Sequence, residues 1–302
     1  METLLITGSN GLLGAKLIEQ AVGRYSVVGL SRQPSIHPPP TACFTFHQLD
    51  IGDGAGITSL FQQLQPSTVI HTAAMTNVDD CELRPQEAWD VNTAGTENVA
   101  RASRDVGAHL LFISTDYVFS GERGPYREED PSDPISVYGR TKLEAEKIVS
   151  SLCPDAVIAR TSTLFGRAPG ARPNFVTWLV EALSNGQQAT VVTDQTSSPT
   201  LADHLATMLL TMAERRISGV YHTVGAEWLS RYDFALRICR TFGLDPSLIV
   251  PGATYGLQQA APRPRHSGLV TQRLQHLRLG IQPLSVDEAL ARFKRDLERA
   301  QP

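Results

Sequence analysis

The segment Thr3-Leu4-Leu5-Ile6-Thr7-Gly8-Ser9-Asn10-Gly11-Leu12-Leu13-Gly14 decides how the rest of the chain is interpreted. A short apolar run leads directly into three glycines with the spacing G-x-x-G-x-x-G, and a helical pattern begins within them. Such glycines allow a tight turn, close approach of the backbone to a diphosphate, and close packing of a helix on a strand. We therefore predict a dinucleotide-binding turn formed by Gly8, Asn10, Gly11, Leu12 and Gly14.

Beyond this turn, short aliphatic runs alternate with helical patterns through the first half of the chain. The alternation predicts an α/β fold with a doubly wound parallel Rossmann sheet, which has helices on both faces. The predicted strands are Thr3–Thr7, Ser26–Ser31, Cys43–Leu49, Thr68–Thr72, His109–Thr115 and Ala156–Arg160. The predicted helices are Gly11–Gly23, Ala55–Leu64, Pro85–Val106 and Ser136–Leu152.

The end of the second predicted strand bears on the choice of cofactor. Ser31 stands where an acidic residue would hold the ribose diol, and Arg32 follows it. A hydroxyl and a guanidinium can hold the 2′-phosphate that an acidic residue repels, so the sequence favours NADP(H) over NAD(H). In the alternative, Arg32 is a surface charge and either cofactor binds.

Asp50 and Ile51 follow the third strand and are candidates for adenine contact, with a solvated loop as the alternative. The proline-rich loop Gln33–Thr41 is predicted to border the dinucleotide or to be a solvated connection.

The pattern loosens after Gly166 and indicates a smaller C-terminal α+β substrate domain packed on the carboxyl edge of the sheet. Residues 1–165 are predicted to form the NADP-binding Rossmann domain, with returning segments near 189–224. Residues 166–302 are predicted to form mainly the substrate-binding domain. Its helices are expected at Asn174–Leu183, Leu201–Arg215, Tyr232–Phe242 and Val286–Arg299, and its short strands near Ala189–Thr193 and Val220–Val224.

Composition and charge exclude other classes of protein. Hydrophobic residues make up 41% of the 302 residues and charged residues 19%, as in ordinary globular proteins. The net charge of −4 leaves no surplus of cations for a nucleic acid partner. No apolar run reaches the roughly 18 residues of a membrane span, and the N-terminus lacks a signal-peptide pattern, so we expect a cytoplasmic protein. The four cysteines lie far apart without clustered histidines, and no metal site is predicted.

Tyr138 and Lys142 are the predicted proton donor and its partner. They lie four residues apart on one face of a predicted helix, and no other of the seven tyrosines has lysine at this spacing. A phenol donates protons poorly at neutral pH, and a neighbouring cation lowers its pKa. Lys142 could also bind the nicotinamide ribose, whereas an ordinary surface contact between the two side chains is the alternative.

Thr115 ends the fifth strand, at the edge where open α/β sheets bind ligands. We expect its hydroxyl to bind the reacting carbonyl oxygen; the alternative is that it forms hydrogen bonds with backbone groups.

These motifs resemble those of the extended short-chain dehydrogenase/reductases. The stretches STDYVFSG, GPYREEDPSDPISVYGRTKLEAEK, ARTSTLFG, DQTSSPT and APRPRHSGL narrow the resemblance to the dTDP-4-dehydrorhamnose reductase family, whose relatives include the regulatory β subunit of methionine adenosyltransferase. The resemblance covers nearly the whole chain and implies that Thr115, Tyr138 and Lys142 occupy the catalytic positions. It implies sugar contacts near Thr76, Val78, Asp116 and Tyr117, and cofactor contacts at Ala73, Ala74 and Asn92.

Three positions qualify the resemblance. Thr163 replaces a tryptophan that the family's reductases usually carry beside the sugar, so a packing surface for the hexose is missing. Tyr117 replaces the glutamate that nucleotide-sugar 4,6-dehydratases use with aspartate for water elimination, which favours carbonyl reduction. Arg263, in the loop Gly252–Ser267, is implied to lie near the substrate diphosphate, and a protein of net negative charge needs such a fixed cation. A solvated proline-rich loop is the alternative.

The resulting hypothesis is an oxidoreductase of nucleotide-sugar biosynthesis. NADPH reduces the C4 keto group of a nucleotide-activated 6-deoxy-4-keto sugar, giving a product such as dTDP-L-rhamnose. One alternative is an epimerase or a reductase of another nucleotide sugar. A second is a non-catalytic NADP-binding regulatory subunit like the β subunit of methionine adenosyltransferase. A homodimer is common in the family and is a possible assembly here.

Overall fold

The core of the molecule is a parallel β-sheet. The computed structural model describes residues 1–37 and 43–299, so residues 38–41 of the predicted loop Gln33–Thr41 lie outside the described residues. Within these ranges seven strands pair in parallel in the order β11-β6-β5-β4-β1-β2-β3. They are β1 (Thr3–Thr7), β2 (Ser26–Ser31), β3 (Phe44–Gln48), β4 (Thr68–His71), β5 (His109–Thr115), β6 (Val157–Thr161) and β11 (Gly219–His222).

Helices cover both faces of this sheet, which confirms the predicted doubly wound fold. One face is packed against α1 (Leu12–Ala21) and α8 (Ala202–Glu214), which share a core with β1 and β6. The other face is packed against α2 (Gly54–Leu64), α5 (Gly95–Asp105) and α6 (Val137–Leu152). The order of the strands reverses between β1 and β4, and a crevice for ligands forms at the carboxyl ends of strands at such a point.

A second core lies in the C-terminal half and is built from short strands and helices. Phe165, Phe234 and Phe293 are fully buried in it. The elements of this core include β7 (Leu164–Phe165), α7 (Phe175–Ser184), β8 (Ala189–Val192), β10 (Thr200–Leu201), α9 (Arg231–Phe242), β13 (Ile249–Gly252) and α11 (Val286–Arg299). Two further strands, β9 (Thr196–Ser197) and β12 (Leu229–Ser230), pair with each other. Of the segments near 189–224, β8 packs in this second core, whereas α8 and β11 pack with the main sheet. The predicted domain boundary between 165 and 166 stays a prediction.

The predicted helix Pro85–Val106 is wrong as one continuous element. It divides into α4 (Pro85–Trp89), a π-helical turn (Asp90–Ala94) and α5, because the turn that carries Asn92 holds one extra residue. The helix α3 (Val78–Leu83) was not predicted; the Asn77 side chain caps it by accepting a hydrogen bond from the Asp80 nitrogen. A short α10 (Gln272–His276) also lies outside the predicted set. Among the helices of residues 1–37 and 43–299, none has the length and apolar character needed to cross a bilayer.

Candidate active site

The glycine turn leaves an open cradle of backbone at the start of α1. Gly8 has φ of +67°, and a methyl group on its α-carbon would lie 2.7 Å from the Ala73 nitrogen. A methyl group on Gly14 would overlap the Gly8 carbonyl oxygen, so neither position accepts a side chain. Gly11 precedes α1 without a side-chain cap, which leaves the first helical N–H groups available for an anion. This cradle fits the diphosphate of a dinucleotide.

Two further residues of the turn border the cradle. Leu12 is the first residue of α1 and is partly exposed. The Asn10 side chain binds the loop after β2: its amide nitrogen donates to the Pro34 oxygen at 2.8 Å, and its oxygen accepts from the Ile36 nitrogen at 3.4 Å. The His37 ring nitrogen Nε2 lies 2.8 Å from the Ser9 carbonyl oxygen. The glycine turn and this loop are therefore held together.

The residues expected at the adenosine end differ in exposure. Ser31 ends β2 and is partly exposed, and Arg32 is exposed. Among the described residues no carboxylate forms an ion pair with Arg32, so its guanidinium is available for a phosphate. Asp50 is exposed and accepts a hydrogen bond from the Gly52 nitrogen. Ile51 is 5% exposed, and its side chain packs in the core beneath α2 and α5. Adenine contact at Asp50 and Ile51 stays a prediction.

The segment after β4 is fixed by a buried asparagine. Ala73 and Ala74 are partly exposed, and Ala73 lies beside Gly8; their place at the cofactor stays a prediction. Asn92, by contrast, has no exposed surface. Its oxygen accepts from the Met75 nitrogen at 2.7 Å, and its nitrogen donates to the Met75 oxygen and to Thr141 Oγ1, each at 3.1 Å. The Asn92 amide thus joins the segment after β4 to α6, and the predicted place of Asn92 at the cofactor stays a prediction.

Thr115 and Tyr138 come together at the carboxyl end of β5. The Thr115 hydroxyl donates to Asp116 Oδ1 at 3.1 Å and accepts from the Tyr117 nitrogen at 3.2 Å. The Tyr138 ring contacts the Tyr117 ring edge to face, with 5.7 Å between the centroids. Burial raises the pKa of the Tyr138 phenol above its usual value, and the nearby Thr115 hydroxyl acts in the opposite direction. The phenol therefore carries its proton at neutral pH.

Lys142 lies one turn after Tyr138 on α6, and 2% of its surface is exposed. Its Nζ lies 4.0 Å from the centroid of the Phe112 ring. Burial lowers the pKa of the ammonium to about 7, and the Glu146 charge opposes this change. Within the described part of the chain, no hydrogen bond and no ion pair holds this ammonium. Its three donors are therefore available for a ribose, which is a second feature that fits a dinucleotide.

Asp116 lies at the centre of a buried network, and the sugar contact predicted near it stays a prediction. It is 3% exposed. Besides Thr115, the hydroxyls of Ser162 and Ser267 donate to its Oδ2 at 2.7 and 2.6 Å. Burial raises the pKa of this carboxyl, and the three hydroxyl donors oppose that effect. Asp116 thus joins the end of β5 to β6 and to the C-terminal segment that carries Ser267, and Tyr117 is the partly exposed neighbour.

The other predicted sugar contacts lie around the same cleft in different environments. Thr76 is exposed, and Val78 is the partly exposed first residue of α3. Thr163 has φ of +24°, a strained backbone for a β-branched residue, and its hydroxyl donates to Ser197 Oγ at 2.8 Å. The Thr163 side chain is thus bound to the β9 strand and offers a sugar no aromatic surface.

Arg263 is held by an aspartate of α3. Its Nη1 donates to Asp79 Oδ1 at 2.8 Å and to the Ala261 oxygen at 2.7 Å, and its Nη2 donates to Asp79 Oδ2 at 2.7 Å. The guanidinium lowers the pKa of the Asp79 carboxyl. These bonds use three of the five N–H groups of Arg263, so two donors remain for an anion. The pair also joins the loop 252–267 to the Rossmann half of the molecule.

Sequence reasoning missed Arg231, the first residue of α9. Its Nε donates to Gln195 Oε1 at 3.2 Å, and its guanidinium lies 5.4 Å from the centroid of the Phe175 ring. Its charge acts on both Asp116 and Tyr117, which places this cation beside the same cleft. In residues 1–37 and 43–299 no carboxylate pairs with it. No local motif distinguishes this arginine, because only the tertiary fold brings α9 to the cleft.

The fold and the site define a class of protein before any comparison is made. A doubly wound parallel sheet with a glycine turn, and a threonine, a tyrosine and a lysine at its carboxyl edge, are the features of a short-chain dehydrogenase/reductase with an added C-terminal unit. The family model described as RmlD substrate binding domain matches residues 1–299. The chain belongs to this family.

Individual relatives cover nearly the whole chain. It is 36% identical to a dTDP-4-dehydrorhamnose reductase of Streptomyces griseus, over 93% of this chain and 88% of that protein. The solved structure of dTDP-4-dehydrorhamnose reductase from Bacillus anthracis in complex with NADP superposes with a TM-score of 0.88 at 32% identity, covering 98% of this chain and 99% of that one. The chain is also 31% identical to methionine adenosyltransferase 2 subunit beta of Bos taurus, over 92% of this chain and 83% of that protein.

Proposed function

We propose that this protein is an NADPH-dependent reductase of the C4 keto group of a nucleotide-activated 6-deoxy-4-keto sugar, of the dTDP-4-dehydrorhamnose reductase type. The observation that carries the proposal is the joining of Thr115, Tyr138 and the buried Lys142 at the carboxyl edge of the sheet. The reductase relatives and the NADP complex of one of them support the substrate class and the cofactor. We place the reaction in the cytoplasm, in the synthesis of a dTDP-6-deoxysugar such as dTDP-L-rhamnose.

The cofactor would be held by the glycine cradle, by the Lys142 donors and by Arg32. Bound NADPH supplies the hydride that adds to the carbonyl carbon. Tyr138 donates its phenolic proton to the alkoxide that forms at the carbonyl oxygen. The Lys142 ammonium stabilises the phenolate that remains. Thr115 orients the carbonyl, and for this it turns its hydroxyl proton from Asp116 Oδ1 to the substrate oxygen.

The nucleotide sugar would lie between α3 and the C-terminal unit. Thr76, Val78 and Tyr117 border the sugar end of this cleft, as the family resemblance implies. Arg263 keeps two free donors for the diphosphate, and Arg231 offers a second cation. A homodimer remains a proposal that rests on the family resemblance alone.

The alternative is a cofactor-binding regulatory subunit, which the likeness to methionine adenosyltransferase 2 subunit beta favours. A regulatory subunit needs the glycine cradle to bind its cofactor. It does not need a phenol and an ammonium placed to protonate a carbonyl. The presence of Thr115, Tyr138 and Lys142 together supports catalysis. An epimerase differs from a reductase in that it regenerates its cofactor, so the consumption of NADPH separates the two.

The proposal is tested with the purified full chain and a panel of 4-keto-6-deoxy sugars carrying dTDP, UDP or GDP. We expect stoichiometric NADPH oxidation with at least one dTDP sugar, and a C4 hydroxyl in the product by NMR. Tyr138→Phe is expected to lower kcat by about 100-fold or more without weakening NADPH binding, because only the proton donor is removed. The matched control is Tyr255→Phe, a change at a tyrosine that is 93% exposed.

Two results would overturn the proposal. Near-normal turnover of Tyr138→Phe on a verified substrate would remove the phenol from the reaction. A lack of NADPH oxidation across the panel, together with stoichiometric co-purification with an unrelated enzyme, would establish the regulatory alternative.

A further inference from the structure

A fully buried ion pair lies directly behind the candidate catalytic residues. Glu146 on α6 is 4% exposed and Arg160 on β6 is 6% exposed. Arg160 Nε donates to Glu146 Oε1 at 3.0 Å, and Arg160 Nη2 donates to Oε2 at 2.7 Å. The Ser114 hydroxyl also donates to Oε1, at 2.5 Å. Burying two charges costs several kcal/mol per ion, and apolar side chains of similar volume often give equal or greater stability. The pair therefore calls for a reason other than stability.

The position of Glu146 on its helix supplies that reason. Tyr138, Lys142 and Glu146 are spaced by four residues, so they lie along one face of α6. On β5, Phe112 lies under the Lys142 ammonium and Ser114 binds the Glu146 carboxylate. The ammonium and the carboxylate thus contact positions two residues apart on the same strand, yet they form no ion pair with each other.

In the part of the chain that the structure describes, no second anion stabilises the Lys142 ammonium. On β4, His71 is buried between the hydroxyls of Thr7 and Thr96, and burial lowers its pKa to about 3, so it is neutral. On β5 the ammonium meets the Phe112 ring, and on its own helix the uncharged Tyr138 precedes it by one turn. Among the described residues, Glu146 is the carboxylate whose charge opposes the effect of burial on the Lys142 pKa.

We propose that Glu146 is a positioning residue that keeps the buried Lys142 ammonium charged, while Arg160 and Ser114 hold the Glu146 carboxylate out of a direct ion pair with that ammonium. A direct pair would also keep Lys142 charged, but it would consume the donors that a ribose and a phenolate need. Holding the anion one helical turn away keeps the charge and leaves the donors free. This inference rests on the proposed function only in assigning Lys142 to the cofactor ribose.

The test measures NADPH binding by fluorescence as a function of pH, with no sugar present. Affinity should fall as pH rises and Lys142 loses its proton. The double variant Glu146→Gln/Arg160→Gln removes both charges and leaves no charge orphaned. The midpoint of the affinity loss is expected to move to lower pH by about one unit, because Glu146 is the charge that favours the ammonium and Arg160 has no comparable effect on the Lys142 pKa.

A second variant gives a change of opposite sign. Ser114→Ala removes one hydrogen bond and no charge, so the carboxylate is freer to turn toward Lys142. The midpoint is expected to move to higher pH, and NADPH affinity at pH 6 is expected to fall severalfold as the ammonium donors become occupied. Glu144→Gln, on the same helix but with a carboxylate that pairs with Lys147 near the surface, is the matched control and should leave both quantities unchanged.

The two signs distinguish this role from a structural one, which would lower affinity at every pH without moving the midpoint. An unchanged midpoint in Ser114→Ala and in the double variant, each shown to be folded by circular dichroism, would overturn the proposal. If the double variant does not fold, the midpoint of Ser114→Ala alone decides. Because no sugar is used, failure of every sugar to react would leave the binding result intact and would count only against the proposed function.

Discussion

At the scale of single residues, the polar groups of the site differ in whether their donor protons already form hydrogen bonds. The Thr115 hydroxyl has one proton, and it is given to Asp116. Asp116 in turn accepts hydrogen bonds on both oxygens, from Thr115, Ser162 and Ser267. Lys142 is the opposite case: its buried ammonium donates no hydrogen bond to any of the described residues. The chemistry we propose therefore requires a change at Thr115 and none at Lys142 when a substrate binds.

We expect Arg32 to set the preference between the two nicotinamide cofactors. Its guanidinium is exposed and, among the described residues, unpaired with any carboxylate, and Ser31 beside it carries no negative charge. We expect the unmodified protein to bind NADPH several-fold more tightly than NADH. Arg32→Ala should weaken NADPH binding about tenfold while NADH binding stays the same, because charge-assisted bonds to a phosphate contribute about 1.5–3 kcal/mol. Calorimetric titration with both cofactors measures the difference.

The control for this change is Arg101→Ala, an exposed arginine of α5 that pairs with Glu97 away from the cleft. Arg32→Lys should restore part of the preference, since it keeps the charge but loses the fork of donors. Equal affinities for the two cofactors in the unmodified protein would contradict the assignment.

At the scale of elements, the sequence is a good guide wherever a local pattern repeats. The first six strands and α1, α2 and α6 lie within a few residues of their predicted positions, because alternating apolar runs and glycines report on them directly. The π-helical turn was not predictable, since the extra residue at Asn92 is explained by its bonds to Met75 and Thr141 and not by any propensity.

The candidate site shows the same division between local and long-range information. Tyr138 and Lys142 were found from their spacing, which a helix converts directly into proximity. The hydrogen bonds that Asp116 accepts from Ser162 and Ser267, 46 and 151 residues away, were not predicted. Arg231 escaped notice for the same reason. Contacts between distant segments decide which polar side chains already have hydrogen-bond partners. No local pattern in a single sequence reports these contacts.

The loop 252–267 is an element whose role can be tested through its anchor on α3. Arg263→Ala is expected to raise the KM for the nucleotide sugar about tenfold or more, because it removes a cation with two free donors beside the cleft. The affinity for NADPH should not change, since that cofactor is expected to bind in the glycine cradle. Steady-state kinetics with direct NADPH titration make the comparison.

Two further variants separate binding from positioning in this loop. Asp79→Asn keeps Arg263 but weakens its anchor, so the KM should rise by less than it does in Arg263→Ala. Arg265→Ala, an exposed arginine two residues further on, is the matched control and should behave like the unmodified protein. An unchanged KM in Arg263→Ala would return the loop to the role of a solvated connection.

At the scale of the whole molecule, buried histidines connect the fold to pH. His71 lies behind the cofactor cleft and His222 ends β11, and neither has more than 1% of its surface exposed. Burial lowers the pKa of each to about 3. Below pH 6.5 the unfolded chain takes up protons at these positions and the folded chain does not. Their contribution to stability is therefore present above pH 6.5 and is lost as the pH falls toward 3.

We therefore expect the free energy of unfolding, measured by urea titration, to drop between pH 7 and pH 5 by about 2 kcal/mol for each of these histidines. His71→Gln should reduce this drop by about 2 kcal/mol, because this position no longer takes up a proton in the unfolded chain. His222 still contributes, as do His109 and His204, whose pKa values burial also lowers. The amide can still bond to Thr7 and Thr96, which limits the loss of stability at pH 7. His276→Gln, on the exposed surface of α10, is the control and should keep the full slope. If His71→Gln kept the full slope as well, His71 would not contribute to the acid sensitivity. That sensitivity would then arise from the other buried histidines and from carboxylates such as Asp79, whose pKa Arg263 lowers.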